Sequence, residues 1–349
     1  MKLFKCQACG QLLYFENTAC VNCGHRLGYL PERTQLSAME PDGAAWRALA
    51  EPEGRYRFCA NAEQDACNWL VPESGGRYCL ACRHNGVIPD IGEPAQLQSW
   101  RVIELAKRRL FYALLRLGLP LATRGEDPAH GLIFEFLADP PAGGPQVMTG
   151  HDDGLVTIAL VEADDAEREK RRVAMGEPYR TLLGHFRHEV GHHYWDILVR
   201  DGGKLEACRA VFGDDSRDYA ASLQEHYAKG APGDWQENYV SSYATTHPWE
   251  DFAETWAHYL HIVDTMEMAR AFGVSVRPRL DDTGALAADI DVDPYAAESF
   301  DKIVEDWLPL TFALNSINRC MGQSDLYPFV LSPPVIAKLS FIHDLVHRR

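Results

Sequence analysis

Apolar side chains recur at helical spacing in three long segments of the chain. In the first, Leu97 to Leu119, the pattern is ended by Gly118 and Pro120. The second, Thr181 to Val199, has an apolar face opposite a face of histidine and carboxylate side chains. The third, Pro248 to Val263, has proline in its first turn, where the missing backbone N–H is not needed. The spacing predicts a helix in each segment.

Two shorter segments have the pattern of β-strands. Leu132 to Leu137 and Gly154 to Val161 are apolar, and the second alternates and carries β-branched residues. Its part from Leu155 to Val161 is a candidate edge strand that could pair with an extended peptide. Asp164 to Met175 is charged and predicts an exposed helix, whereas Pro278 to Pro294 contains turn formers and predicts a surface excursion. Together these elements predict an α+β fold.

Composition and charge narrow the class of protein. The chain has 349 residues, of which 46% are hydrophobic and 24% charged, as in ordinary globular proteins. The formal net charge of −16 has the wrong sign for a nucleic-acid binder. No apolar run approaches the roughly 20 residues that span a bilayer, and the N-terminus has no apolar signal segment. We therefore expect a cytoplasmic protein with no nucleic-acid or membrane partner, whose clustered cysteines bind metal instead of forming disulfides.

The distribution of cysteine divides the chain. Eight of the ten cysteines precede residue 83, and the turn-forming stretch Pro89 to Pro94 follows them. We predict one cysteine-rich segment in residues 1–30, a second in residues 31–92 and a larger domain with a conventional core in residues 93–349. The two remaining cysteines stand alone and are expected to be buried apolar residues: Cys208 and Cys320.

The spacing of the N-terminal cysteines is typical of zinc ligands. Two cysteines separated by two residues can bind one ion, and two such pairs joined by a hairpin make a tetrahedral zinc ribbon. Gly10 and Gly24 follow such pairs and let backbone amides turn toward the sulfur atoms. His84 could replace one thiolate in the second cluster. Four protein ligands leave no open position, so both sites should be structural. The first predicted cluster is Cys6, Cys9, Cys20 and Cys23, and the second is Cys59, Cys67, Cys79 and Cys82.

The second predicted helix carries the motif His-Glu-x-x-His. His188 and His192 are four residues apart, so their rings stack on one face and reach one ion. Glu189 is rotated by about 100° from His188, near the metal but outside its ligands, where a general base for zinc-bound water must lie. A catalytic zinc also needs a third protein ligand. Glu250 is the favoured candidate, although a carboxylate in a first helical turn could simply answer the helix dipole. The polar residues on that face of the third helix are Glu250, Glu254, His258 and His261.

Two segments, Leu183 to Asp196 and Pro248 to Ala257, carry a family resemblance. They resemble the zinc-binding metallopeptidases that have an N-terminal zinc ribbon, and the likeness covers nearly the whole chain. By motif this family is similar to the gluzincins, in which two histidines and a downstream glutamate hold zinc. The resemblance implies a zincin-like domain, with a twisted sheet over the motif helix.

The resemblance also implies roles for individual residues. Glu189 would be the general base. Tyr243, seven residues before the glutamate ligand, occupies the position of a gluzincin tyrosine that points at the oxyanion. Glu254 stands where thermolysin, one of the gluzincins, has aspartate, and it would accept a ring N–H from a ligand histidine. The implied catalytic zinc ligands are His188, His192 and Glu250.

The predicted function is therefore zinc-dependent hydrolysis of a peptide or protein substrate. Glu189 would take a proton from zinc-bound water, and the hydroxide would attack a carbonyl polarised by the metal. Two alternatives remain: a zinc hydrolase of a non-peptide amide, and a non-enzymatic protein-binding module whose working surface is the zinc ribbons. Glu189 argues against the second alternative, because a structural zinc site has no use for a carboxylate beside the ion.

Overall fold

The computed structural model describes residues 1–140, 144–175, 177, 179–280 and 282–347. The chain divides into two compact units. The first contains residues 1–175 and 180–186, and the second contains residues 176–179 and 187–349. The division falls inside the motif helix, between Phe186 and Arg187. The described β-sheets of more than two strands lie in the first unit, together with the long helix over residues 94–116, and the second unit is mainly helical.

Short antiparallel strands form the N-terminal part of the first unit. Strands β1 (Phe4–Lys5) and β2 (Leu12–Leu13) make a hairpin. A larger sheet, in which each strand is antiparallel to the next, consists of β3 (Arg26–Leu30), β4 (Gln35–Asp42), β5 (Ala45–Ala48), β6 (Glu51–Phe58) and β7 (Leu70–Pro72). This sheet therefore includes residues on both sides of the boundary predicted between residues 30 and 31.

Aromatic side chains fill the core between this sheet and the first helix. The rings of Phe15, Tyr29 and Trp69 are buried, with Tyr29 4.8 Å from Trp69 and 5.0 Å from Phe15 between ring centroids. Tyr112 joins them from α1 (Pro94–Arg116), where it lies 5.5 Å from Phe15. The helix predicted from Leu97 is thus confirmed, and it begins at Pro94 because proline suits the first helical turn.

A second sheet of the first unit corrects one prediction. Its order is β10-β11-β9-β8, made of β8 (Asn85–Val87), β9 (Ile133–Leu137), β10 (Gly150–Asp152) and β11 (Leu155–Ala159). The prediction of an edge strand at Leu155 to Val161 was wrong, because β11 is parallel to β9 on one side and antiparallel to β10 on the other. The reason is a tight turn at Asp153 and Gly154, both with positive φ, which folds β10 back onto β11.

The motif helix begins beside this sheet. The charged helix α2 (Asp165–Met175) precedes α3 (Leu182–Tyr194), which continues as a π-helix over Trp195–Arg200. Phe186 near the start of α3 packs on β9, with its ring 5.6 Å from Phe134 and 6.3 Å from Phe136. The apolar face predicted for this helix therefore meets the sheet at Phe186.

The second unit is mainly helical. Its helices after α3 are α4 (Leu205–Phe212), α5 (Tyr219–Lys229), α6 (Pro248–Ala271), α7 (Phe300–Cys320) and α8 (Pro333–His347). Helix α6 starts at the predicted proline but extends beyond Val263, because Met266 and Ala269 continue its buried side. Cys208 is buried as predicted, whereas the prediction of burial for Cys320 was wrong: it is exposed at the end of α7, where the chain turns away at Gly322.

The predicted surface excursion from Pro278 to Pro294 is largely exposed in its described residues. Its residue Asp281 lies outside the described residues. Within it, β13 (Ala288–Asp289) pairs with β12 (Ser275–Val276). Nowhere in the described ranges is a helix both long and apolar enough to cross a membrane.

Candidate metal centres

The first four cysteines converge at the N-terminal hairpin. Cys6 Sγ lies 3.7 Å from Cys23 Sγ, and Cys9 Sγ lies 3.6 Å from Cys20 Sγ. These distances exclude disulfides, whose sulfur atoms are about 2.05 Å apart. Along the sequence, a glycine with positive φ follows Cys9 and another follows Cys23. The N–H groups of these glycines, Gly10 and Gly24, donate to the carbonyl oxygens of Cys6 and Cys20. The glycines thus close the two turns that aim the thiols at one point.

The second cluster is more deeply placed. Cys59, Cys67, Cys79 and Cys82 are all buried, and the Sγ atoms of Cys67 and Cys79 are 3.7 Å apart. The backbone N–H of Trp69 donates to Cys67 Sγ, and that of Cys79 donates to Cys59 Sγ. Each nitrogen–sulfur distance is 3.4 Å. His84 does not join this group, because the donor atoms that lie within 4.8 Å of one another there are the four cysteine sulfurs among the described residues. Its Nδ1 atom bonds to the carbonyl oxygen of Leu132 at 2.8 Å.

The sulfur separations match a tetrahedral zinc site. Zinc–thiolate bonds are about 2.3 Å long, so two sulfurs at the tetrahedral angle lie roughly 3.8 Å apart. The observed separations in both clusters are 3.6 to 3.7 Å. The donor sets therefore fit zinc in type, number and spacing, and four protein ligands leave no open position in either cluster.

The third group of metal donors joins α3 to α6. His188 Nε2 lies 3.2 Å from His192 Nε2 and 3.0 Å from Glu250 Oε2, and His192 Nε2 lies 3.4 Å from the same oxygen. Donors bound to zinc at about 2.05 Å would be roughly 3.3 Å apart at the tetrahedral angle. Two histidine nitrogens and one carboxylate oxygen are also the donor set of zinc sites that keep one position open. The three side chains therefore fit zinc in donor type and spacing.

Glu254 orients the first histidine. His188 Nδ1–H donates to Glu254 Oε1 at 2.7 Å, which leaves the lone pair of Nε2 free to face the other donors. The second oxygen of Glu254 accepts a hydrogen bond from Ser241 Oγ at 2.6 Å. The two glutamates, one helical turn apart on α6, therefore have different contacts. Glu250 faces the Nε2 atoms of both histidines, whereas Glu254 binds the Nδ1 atom of His188.

Charge at this group suits a metal cation. Burial acts to raise the pKa of Glu250, but the two histidines outweigh it and hold that pKa well below its ordinary value. Burial likewise opposes charge on His188, yet hydrogen bonds and charge from Glu250 and Glu254 hold its pKa well above the ordinary value. Burial lowers the pKa of His192. The carboxylate is therefore ionised, and metal binding at His188 would release the proton that its partners favour.

Glu189 lies beside these donors as a buried carboxylate. Its side chain is 7% exposed, and no hydrogen bond from it is seen among the described residues. Burial raises its pKa to about 7, with a smaller contribution from the charges of Glu250 and Glu254 and an opposing one from His188. A carboxylate with this pKa can both take up and release a proton near neutral pH.

Two tyrosines lie at the group, of which the sequence indicated one. The ring of Tyr243 is 6.0 Å from that of His188, and burial, followed by the charge of Glu250, raises the pKa of Tyr243, so the hydroxyl keeps its proton. Tyr219, at the start of α5, was not predicted. It donates from Oη to Glu250 Oε1 at 2.6 Å. Ser241 and Trp249 were also missed, and the ring of Trp249 lies 3.7 Å from that of His192.

Other polar residues of the two helices have structural contacts. His185 lies 3.5 Å from Glu162. Asp196 pairs with Arg200 at 2.8 Å. His247 caps α6: its Nδ1 accepts the backbone N–H of Trp249 at 3.1 Å.

Comparison with known proteins covers both parts of the chain. Residues 96–345 match the family described as "Putative zinc-binding metallo-peptidase", and residues 3–93 match a zinc-ribbon domain. An uncharacterized protein of Mycobacterium bovis, and similar uncharacterized proteins from two strains of Mycobacterium tuberculosis, are each 42% identical to this chain over 348 residues, covering 99% of this chain and 95% of the relative. No solved structure matches significantly. The first match contains the histidine and glutamate group, and the second contains both cysteine clusters.

Proposed function

The chain belongs to the zinc-binding metallo-peptidase family, with an N-terminal zinc-ribbon domain, and we propose that it hydrolyses peptide bonds at the centre formed by His188, His192, Glu250 and Glu189. One observation carries the proposal. Three donor atoms from α3 and α6 lie 3.0 to 3.4 Å apart, and Glu189, which directly follows the first histidine, is a buried carboxylate. A structural zinc site would not need that carboxylate.

The side chains divide the work of hydrolysis. A zinc ion held by the three ligands supplies a Lewis acid that activates water and polarises a carbonyl group. Glu189 accepts the proton of the attacking water and later delivers it to the leaving amine. Burial raises the pKa of this carboxyl, which favours a group that both accepts and releases a proton. Glu254 and Ser241 hold the ring of His188 in the orientation that directs Nε2 toward the other donors.

Tyr243 completes the proposed centre. Its protonated hydroxyl would donate a hydrogen bond to the oxyanion that forms on the substrate carbonyl. The position of its ring beside His188 supports this role. We extend the proposal to a zincin-like domain of the gluzincin class in residues 93–349. Residues 1–30 and 31–92 then hold one structural zinc each.

The proposal is tested by peptide profiling of the zinc-loaded protein. A diverse peptide mixture is incubated with the wild-type protein and with Glu189→Gln, and products are identified by mass spectrometry. Glu189→Gln should keep its zinc but lose at least about 10²–10⁴-fold in rate, because its amide cannot accept the proton. Glu225→Gln is the matched control, since Glu225 is exposed on α5 and pairs only with Lys229 among its described ion pairs.

Each outcome has a distinct meaning. Cleavage by the wild-type protein and Glu225→Gln, but not by Glu189→Gln, supports a peptidase. Hydrolysis confined to small non-peptide amides would contradict the peptide substrate while keeping the chemistry. A fully zinc-loaded protein that hydrolyses neither class would contradict the enzymatic proposal and favour a binding module.

A further inference from the structure

The two oxygens of Glu250 have different partners. Oε2 faces His188 and His192 at 3.0 and 3.4 Å, whereas Oε1 accepts the hydroxyl hydrogen of Tyr219 at 2.6 Å. A carboxylate can bind zinc through one oxygen or through both, and the second mode would use an additional coordination position. The hydroxyl of Tyr219 donates its hydrogen bond to Oε1, the oxygen that a second bond to zinc would use.

Tyr219 is itself held in place. It opens α5, whose N-terminus is capped by Asp218 accepting the N–H of Ala221 at 2.9 Å. Its ring packs edge to face on His247 and Trp249, with centroids 5.5 and 5.7 Å away. The hydroxyl therefore approaches Glu250 from a fixed direction, and a phenol remains protonated at neutral pH.

The same ring also supports the second histidine. Trp249 lies between Tyr219 and His192, and its ring centroid is 3.7 Å from that of His192. His247, the other ring that Tyr219 contacts, caps α6 and bonds through Nε2 to the carbonyl oxygen of Arg217 at 3.1 Å. One side chain thus contacts both a proposed ligand and the ring that packs on another.

From these contacts we infer that Tyr219 is a positioning residue, which holds Glu250 as a one-oxygen ligand and so preserves the open position at the centre. The inference rests on the proposed function for the identity of the ligands. It gives Tyr219 a role through Glu250, whereas the role proposed for Tyr243 is at the oxyanion.

The test is Tyr219→Phe, with Tyr227→Phe as the matched control. Phenylalanine keeps the ring contacts and removes only the hydroxyl, and Tyr219 is 37% exposed, so the variant should fold. Tyr227 is on the same helix and is 70% exposed. Zinc affinity is measured by chelator competition. The visible spectrum is recorded after mild chelation has emptied the histidine site and cobalt has replaced its metal, with zinc retained in the cysteine clusters.

Tyr219→Phe should bind zinc about 10- to 100-fold more weakly at this site, as typical for the loss of a partner behind a ligand. Its cobalt spectrum should shift toward higher coordination number, while Tyr227→Phe matches the wild-type protein. Against a cleaved peptide, kcat should fall with little change in KM. Wild-type affinity and spectrum in Tyr219→Phe would overturn the inference, as would equal changes in Tyr227→Phe. If no peptide is cleaved but the affinity and spectrum change as expected, the proposed function fails while the positioning role stands.

Discussion

Gly191 of α3 lies directly against Ala253 of α6. A Cβ atom added at Gly191 would stand 3.0 Å from the Ala253 Cα atom, 3.3 Å from its carbonyl oxygen and 3.3 Å from Trp256 Cβ. Two of these atoms belong to backbone and cannot move out of the way without shifting a helix. The absent side chain within the motif is therefore what lets α6 come close enough for Glu250 to reach the histidines.

Gly191→Ala should separate the two helices. We expect a loss of about 1–3 kcal/mol in unfolding free energy, as for other overpacked interiors, together with weaker zinc binding at the histidine site. The matched control is Gly233→Ala, where an added Cβ meets no atom within 4 Å. Hydrogen exchange in α3 and α6, read by mass spectrometry, measures the loss of stability, and chelator competition measures the zinc affinity. Equal zinc affinity in both variants would show that the close approach does not position the ligands.

Glu250 and Glu254 should differ sharply on removal. Glu250→Ala takes away a donor and should abolish stable zinc binding at the histidine site. Glu254→Ala leaves three donors but frees the ring of His188, so we expect a loss of about 10- to 100-fold in affinity. Zinc per chain after dialysis against graded chelator measures both, and the cysteine sites should remain loaded. A larger loss in Glu254→Ala than in Glu250→Ala would reverse the assignment of ligand and support.

The three groups of metal donors predict three zinc ions per chain, one in each cysteine cluster and one at His188, His192 and Glu250. The double variant Cys6→Ser, Cys9→Ser removes one thiolate pair and should reduce the content to two. Cys320→Ser is the control, because Cys320 is exposed and lies outside the metal-donor groups of the described residues. Elemental analysis counts the ions, and limited proteolysis should show a loosened N-terminal hairpin in the double variant alone. Full zinc content in the double variant would contradict the ribbon assignment.

The sequence predicted what depends on spacing along one element. Helical periodicity located α3 and the start of α6. It also placed Glu250 and Glu254 on one face of α6, one helical turn apart, so that only one of them could be the ligand. The pairing of β10 with β11 was missed although Asp153-Gly154 is a strong turn signal, because β10 itself has no apolar pattern.

Contacts between distant segments were beyond the sequence. Nothing in the spacing of Tyr219 indicates that it meets Glu250, 31 positions later in the chain. Ser241 and Gly191 matter only because of where the loop before α6 and the face of α6 come to lie. The role of such residues follows from tertiary packing. In a single sequence they look like any other serine, glycine or tyrosine.

A buried ion pair next to the centre provides the last prediction. Lys338 of α8 lies 2.6 Å from Asp251, the residue after Glu250, and neither side chain is more than 8% exposed. The same ammonium group donates to the carbonyl oxygen of Asn238 at 2.6 Å and lies 4.2 Å from the ring centroid of Tyr239. Lys338 thus ties the segment leading to Ser241 onto the first turn of α6.

Breaking this pair from one side should cost more than removing both charges. Asp251→Asn leaves a buried ammonium without its counter-charge, and Lys338→Met leaves a buried carboxylate, so each should lose about 3–5 kcal/mol. The double variant removes both charges, so its loss should be smaller than either single loss and therefore far below their sum. Hydrogen exchange read by mass spectrometry measures this in α6 and α8 separately, which avoids treating a two-unit chain as one transition. Additive losses would mean that the two charges do not stabilise each other, and the contact of Lys338 with Asn238 would then account for its whole effect.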